Sequence, residues 1–285
     1  MTALATPPAR ASGEARFAPA RMRRTVLEMA YAGSTVHIAC AFSIIELLTV
    51  LYRNHLRYPD NKPRAEGRDY LVLSKGHGVM AQYACMRELG WLEDSHIQGY
   101  FKDGSELKGL SDSRVPGLEV TSGSLGHGFS VGVGIAAGLQ RKGTDQKVYA
   151  IVGDGELNEG PIWEGALVAA HHRMDNLMLI VDKNGFQAMG TTDDVLALGD
   201  LSTKFAAFGF ETLEVDGHDE EAVDAAIRQL WVTGAGKPKA LIARTVKGKG
   251  VPFMESDNRW HYTRLDQQTF AEAIKALDDV IGASK

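Results

Sequence analysis

The sequence predicts an α/β fold: a mostly parallel sheet with helices on both faces. Three observations predict it. Short apolar runs of strand length alternate with stretches of helical spacing. Polar, glycine-bearing turns follow three of those runs, at SKGHG, GDGELNEG and DKNGFQ. The composition is that of an ordinary globular protein, 44% hydrophobic and 24% charged over 285 residues.

That composition excludes extensive disorder. It also excludes a transmembrane chain, because no apolar run approaches the ~20 residues of a membrane span. A net charge of −5, from 31 basic and 36 acidic residues, and a pI near 6.0 leave no basic excess for a sequence-independent grip on nucleic acid. Cys40 and Cys85 are too few for a disulfide framework or a usual zinc site, and they point to a reduced, cytoplasmic compartment. Glycine is the outlier. Thirty-one in 285 is about 11%, against an average near ~7%. These glycines cluster between Gly117 and Gly165, where backbone can approach a ligand or another chain closely.

Residues 1–20 are rich in Ala and Pro without apolar periodicity, and are expected to be a flexible tail before a domain at 21–285. From Arg24 to His55 the pattern is helical, with a break near Gly33–Ser34. Ile44, Ile45, Leu47, Leu48 and Leu51 form its apolar face. Tyr70 to Ser74 reads as a buried strand, and Val79 to Leu89 as a helix stopped by Gly90. Gly99 to Val120 is loop-like. A glycine-rich helix is expected from about Gly123 to Leu139. Gly128, Gly132 and Ala136 on one of its faces suit close packing, inside the domain or against a second chain. Lys147 to Val152 is the next strand. Pro161 then stands in the first turn of a helix whose apolar face is Ile162, Trp163, Ala166, Leu167 and Ala170. Leu177 to Asp182, Glu211 to Gly217 and Lys239 to Val246 are further strands, with a helix at Asp219–Val232.

Sheets of this kind bind ligands beyond the carboxyl ends of their strands. Asp154 stands there between Gly153 and Gly155, and Asn184 follows the next strand. Adjacent parallel strands would bring the two side chains together. One carboxylate, one amide oxygen and a backbone carbonyl make a hard-oxygen set suited to Mg²⁺, which completes its shell with phosphate oxygens and water. The pair therefore implies a diphosphate ligand. GDG alone reads equally well as a tight turn.

The histidines divide by context. His77, in a glycine-flanked turn after a strand, reads as a site residue. His37, amid apolar helix residues, reads by itself as a core histidine. His127 opens the glycine-rich helix, where N–H groups can hold an anion. His218 reads as part of a helix-starting turn, and His261, after Trp260, says little alone. Neither the dinucleotide fingerprint nor the P-loop nor a nucleophile elbow is present.

At these residues the chain resembles the N-terminal half of transketolase, and specifically the separate small subunit of two-chain transketolases. AGSTVH, IIELL, LSKGH, PGLEVTSGSLGHG, GDGELNEG, DKNGFQ and KGKGVPFMESDNRWH follow in the family's order, over about residues 24–265. The resemblance implies a thiamine-diphosphate-binding fold. It implies that Asp154, Asn184 and the Phe186 carbonyl hold Mg²⁺. Gly155 and His77 would contact the diphosphate, and Gly123 and Leu125 the aminopyrimidine. Glu159 would join the cofactor set from the subunit interface. His37 and His261 would face the substrate, His261 also lying near the diphosphate. With His77 they form the expected catalytic set, able to shuttle protons near neutral pH.

The resemblance further implies ketol transfer from a ketose or ketose phosphate to an aldehyde. It implies a partner chain carrying the pyrimidine-binding domain and a catalytic glutamate, in a heterotetramer of two small and two large subunits. Three motifs depart from the family. Gly109-Leu110-Ser111 stands where Gly-His-Pro is usual, Thr35 to Cys40 reads TVHIAC rather than SGHPGG, and Trp260-His261-Tyr262 replaces WHG. All three fall at substrate-facing positions, which implies a working cofactor site with an altered substrate. Two other readings are the α-subunit of a 2-oxo acid dehydrogenase, or another acyloin-forming enzyme, and a non-catalytic scaffold. Intact Asp154 and Asn184 argue against the scaffold.

Overall fold

The computed structural model describes residues 17–283. The first 16 residues of the expected tail lie outside them. The last part of that tail belongs to the fold: Phe17 is buried, and Pro19 opens helix α1 (Pro19–Ala32) in the first-turn position proline favours.

The expected helical stretch after Arg24 is broken into pieces. α1 is followed by α2 (Ile38–Phe42), α3 (Ile45–Val50) and one wide π turn at Leu51–His55. The break falls at Gly33, where a Cβ would lie 2.8 Å from the Tyr100 carbonyl oxygen. This is the break expected near Gly33–Ser34; the further division between α2 and α3 and the π turn leave no mark on the periodicity, because those pieces bury the same apolar residue types.

The strands follow the predicted order. β1 (Tyr70–Leu73) leads through a tight turn into α4 (Val79–Leu89), which Gly90 ends in the left-handed conformation. A short α5 (Asp94–Gln98) precedes a long irregular stretch. α6 (His127–Lys142) begins later than expected, since Gly123–Gly126 is loop. β2 (Val148–Gly153), α7 (Gly160–His171) and β3 (Leu177–Lys183) come next. A small hairpin of β4 (Phe186–Gln187) and β5 (Gly190–Thr191) leads to α8 (Thr192–Leu196) and α9 (Leu201–Ala207). The chain closes with β6 (Glu211–Asp216), α10 (Glu220–Thr233), β7 (Lys239–Arg244) and α11 (Gln267–Ala283).

The main sheet has the order β1-β2-β3-β7-β6, and every pairing in it is parallel. Because successive side chains point to opposite faces, β1, β2, β3 and β7 each feed two cores. Leu71, Leu73, Tyr149, Ile151, Met178, Ile180 and Leu241 pack on one face with α1 to α4, α10 and α11. Val72, Val148, Ala150, Val152, Leu179, Val181 and Ile242 pack on the other with α6, α7 and α9. A sheet covered on both faces explains the near-continuous apolar strands.

Of the two roles open to the small-residue face of α6, internal packing is the one observed. A Cβ on Gly128 would lie 2.6 Å from the Ser74 Cα, and one on Gly132 would lie 3.6 Å from the Ala150 Cβ. Gly134 and Gly138, on the other side of the helix, open to free space. Among the described residues no helix is long and apolar enough to cross a membrane.

Candidate active site

The register of β2 on β3 pairs Gly153 with Asp182, so the two strands end side by side. Asp154 leaves β2, and its backbone N–H donates to the Asp182 carbonyl at 3.1 Å. Its side chain is buried and spans both turns. Oδ1 accepts from the Gly155 N–H at 2.8 Å, and Oδ2 accepts from the Gly185 N–H at 2.6 Å. The GDG and KNG turns therefore meet through the Gly185 N–H, while the Asn184 side chain pairs with Asp182 and the Phe186 N–H. Gly155 is required there, since a Cβ would lie 2.6 Å from the Gln187 Cβ.

The charged form of Asp154 is left largely uncompensated by this chain. Burial, and then the neighbouring Asp182 carboxylate, push its carboxyl up to about 7. The buried cation Lys75 is engaged by Asp182 instead. Among the described residues no three His, Cys, Asp or Glu side chains converge as a metal cage. A divalent ion here would rest on one carboxylate, one amide oxygen and a backbone carbonyl, with phosphate oxygens from its ligand. The donor chemistry and the uncompensated carboxylate fit Mg²⁺ with a diphosphate.

Asp182 organises the floor below. Its Oδ2 accepts from Ser43 Oγ at 2.8 Å, from Asn184 Nδ2 at 2.9 Å and from Lys75 Nζ. Thr245 Oγ1 donates to its other oxygen. Holding the Asn184 nitrogen inward turns the amide oxygen the other way, where the Phe186 N–H donates to it at 3.0 Å. Burial pushes the Asp182 carboxyl up, but Lys75, Thr245 and Ser43 outweigh it and hold it below the ordinary range. Lys75 also donates to the Cys40 carbonyl at 3.1 Å.

Glu156 ties three loops together. Its Oε1 accepts from Ser74 Oγ at 2.5 Å and from the Gly126 N–H at 2.8 Å, and its Oε2 accepts from the Gly153 N–H at 3.2 Å. Ser74 Oγ accepts in turn from the Phe129 N–H at 3.0 Å, at the start of α6. The turn after β1, the turn after β2 and the N-terminus of α6 thus share one buried carboxylate. The sequence reasoning missed Glu156, Asp182, Lys75 and Lys247. Their signal was charge inside apolar or glycine-rich runs, where an unpaired charge is expensive.

The three expected histidines converge. The His37 ring lies 5.3 Å from both His77 and His261, and His77 lies 5.8 Å from His261. The reading of His37 as a core residue is corrected: it caps α2 at φ 69, a left-handed conformation uncommon outside glycine. Its N–H donates to the His261 carbonyl at 3.2 Å, which locks the two loops. Burial first, and then Lys75 or Lys247 nearby, lower all three imidazoles. His261 falls to about 3. The cluster is uncharged at neutral pH.

Of the remaining expected positions, Gly123 and Leu125 stand in the loop before α6 and Glu159 stands just before α7. Gly123 is exposed, and a Cβ there would lie 3.0 Å from Leu110 Cδ1. Leu110 is itself 41% exposed. Leu125 is half-buried, and its carbonyl lies 3.1 Å from His127 Nδ1. Glu159 is exposed beside the Gly126 turn. Tyr262 packs its ring on His261 at 4.5 Å and His37 at 5.5 Å, with 60% of its surface open. His218 does not join the site. It sits under Glu46, with Nδ1 3.0 Å from the Glu46 carboxylate and Nε2 accepting from the Val246 N–H at 2.8 Å.

Comparison with known proteins agrees with this fold. The family described as transketolase, thiamine diphosphate binding domain, matches residues 21–279. The chain is 36% identical over 259 residues to an apulose-4-phosphate transketolase subunit of Phocaeicola vulgatus, covering 91% of this chain and 92% of that protein. It is 35% identical to 6-deoxy-6-sulfo-D-fructose transketolase subunit SqwG of a Clostridium species, covering 85% of this chain and 88% of that one. The crystal structure of Campylobacter jejuni transketolase superposes with a TM-score of 0.84 at 26% identity, over 94% of this chain and 43% of that one. The chain thus spans less than half the length of that solved transketolase. The parallel sheet, the shared turns at its carboxyl edge and these matches place the chain in the transketolase family, as its thiamine-diphosphate-binding N-terminal domain.

Proposed function

We propose that this chain is the small subunit of a two-chain transketolase that moves a two-carbon ketol unit from a ketose or ketose phosphate to an aldehyde. The convergence of Asp154, the Asn184–Phe186 turn and three uncharged histidines at one sheet edge carries this reading. Asp154, Asn184 and the Phe186 carbonyl hold Mg²⁺, and His77 and Gly155 meet the diphosphate. Gly123 and Leu125 lie against the pyrimidine. Thiamine diphosphate, when bound, supplies the carbon nucleophile and electron sink. This chain holds the cofactor's anionic end, shields the reacting carbon and offers histidine N–H and lone-pair groups to the substrate.

The pyrimidine-binding domain and a catalytic glutamate come from a partner, in a heterotetramer of two small and two large subunits in the cytoplasm. Glu159 lies at the interface between them. Two relatives whose names make them one subunit of a transketolase are matched over nearly their whole length, which supports a partner. Exposed Val131 on α6 and Leu167 and Val168 on α7 offer apolar surface for it. The test is reconstitution with a chain that resembles a C-terminal transketolase half. Thiamine-diphosphate-dependent ketol transfer by the pair, and by neither chain alone, is expected. A stable pair that binds cofactor but converts only 2-oxo acids would replace this reading.

The substrate departs from an ordinary ketose phosphate near Leu110. An exposed leucine over Gly123 gives no hydroxyl a partner where the family has a histidine. Two relatives are named for modified sugars, an apulose phosphate and a sulfofructose, which supports a specialised ketose. Leu110→His is expected to raise kcat/KM for ordinary ketose phosphates by about tenfold or more, since a lost hydroxyl partner is costly to recognition. Unchanged kcat/KM would remove Leu110 from the specificity set.

A further inference from the structure

We propose that His218, in its neutral form, is a positioning residue that latches the turn after β7, and that protonation of its ring releases that turn. His218 follows β6, the edge strand, which lies beside β7. Gly217 brings the two turns together. Its N–H donates to the Arg244 carbonyl at 2.7 Å, and a Cβ on it would lie 2.6 Å from Thr245 Cγ2. The His218 ring is then held from two sides. The Val246 N–H donates to Nε2 at 2.8 Å, and Nδ1 lies 3.0 Å from Glu46 Oε2. Glu46 is fixed in turn by Arg23, which donates to both its oxygens at 2.7 Å, and both side chains are buried. Burial pushes the Glu46 carboxyl up, but Arg23 and His218 outweigh it and bring it down to about 2. An amide N–H only donates and an ionised carboxylate only accepts. Nε2 is therefore bare, and Nδ1 carries the ring proton.

A second proton has only Nε2 to go to, and it would set N–H against N–H across the Val246 contact. Glu46 keeps the ring through Nδ1, so the Val246 amide is the partner that leaves. The other charged groups around the ring are acids or already paired. The Asp216 carboxylate accepts the His218 N–H at 2.9 Å, and Asp219 and Glu220 open α10, with Glu220 paired to Arg53. What Val246 anchors matters for the site. The next residue is Lys247, whose Nζ lies 2.9 Å from His261 Nδ1, and then Gly248, whose N–H donates to the Ala39 carbonyl at 3.1 Å. Burial first lowers His37, His77 and His261, so the cluster itself is not what mild acid charges. The consequence for cofactor binding rests on the functional reading above. The latch itself does not.

Amide hydrogen exchange of the full-length chain over residues 245–250 reads the latch directly. It is measured at about pH 8 and about pH 5, on either side of the range in which histidine titrates, and corrected for the intrinsic rate. The parent should lose protection about tenfold or more in acid. Glutamine has an amide oxygen that accepts and an amide nitrogen that donates, and it does not titrate, so His218→Gln should stay protected at both pH values. His218→Leu has no acceptor and should be unprotected at both. In the complex reconstituted with the partner, the half-saturating thiamine diphosphate concentration should rise in acid at least about threefold more in the parent than in His218→Gln. Asp154 contributes equally to both and cancels in the comparison. Equal protection of the parent at the two pH values, an acid loss retained in His218→Gln, full protection in His218→Leu, or an equal rise in half-saturation would each overturn the proposal. Absence of ketol transfer in the parent complex would count against the functional reading only, because exchange needs neither cofactor nor partner.

Discussion

Asp154→Ala is expected to abolish Mg²⁺-dependent binding of thiamine diphosphate and to lower ketol transfer at least about a thousandfold. It is the one carboxylate among the three proposed metal groups, and a hard cation with few protein ligands depends on that charge. The pH dependence gives an independent check. Without metal the Asp154 carboxyl sits at about 7, raised by burial and by Asp182. A carboxyl raised in the folded state binds more protons there than in the unfolded chain. It therefore costs stability increasingly as pH rises from the ordinary Asp range toward 7. Metal must displace that proton, so the half-saturating Mg²⁺ concentration should rise toward about tenfold for each pH unit below 7. In Asp154→Ala this slope should vanish along with the affinity. Calorimetric titration at several pH values reads both effects, and retained affinity with the parent's slope would remove Asp154 from the metal set.

The second large effect is on stability. Asp182→Ala is expected to cost about 3–5 kcal/mol, because it strands Lys75 as an unpaired charge inside the sheet edge. Lys75 is 1% exposed and Asp182 is fully buried, so water cannot take the partner's place. Ser43, Thr245 and Asn184 lose their acceptor at the same time. Pairing the change with Lys75→Met should recover most of the loss, since the expensive species is the lone ammonium rather than the missing ion pair. Denaturant unfolding of the single and double variants measures this. A single variant within about 1 kcal/mol of the parent would show that Lys75 finds another partner or loses its proton. Asn184 would still lack the anchor that aims its oxygen, so metal affinity should stay depressed in the double variant.

Much of the fold was legible because its signals are local. β1, β2, β3 and β7 are unbroken apolar runs, and α4 ends where Gly90 stands. In the helical stretch after Arg24 the break at Gly33 was legible, but the division between α2 and α3 was not, because both pieces are continuously buried. The start of α6 was set too early, because Gly123–Gly126 obeys a contact between Gly126 and Glu156 rather than its own propensity.

The sequence by itself determined the sheet, the three polar turns at its carboxyl edge and the pairing of Asp154 with the Asn184 turn. Strand period and glycine placement act over a few residues, and parallel neighbours carry their ends to the same edge. Only the tertiary structure decided which side chains surround that pair. Cys40 and His261 meet across 221 positions, and Lys75 and Asp182 across 107. No periodicity reports such contacts, because they form only when the two layers of helices close over the sheet and bring distant loops into one volume. The burial that results holds His37, His77 and His261 uncharged and leaves Asp154 near neutrality, and neither state belongs to those residues as free amino acids.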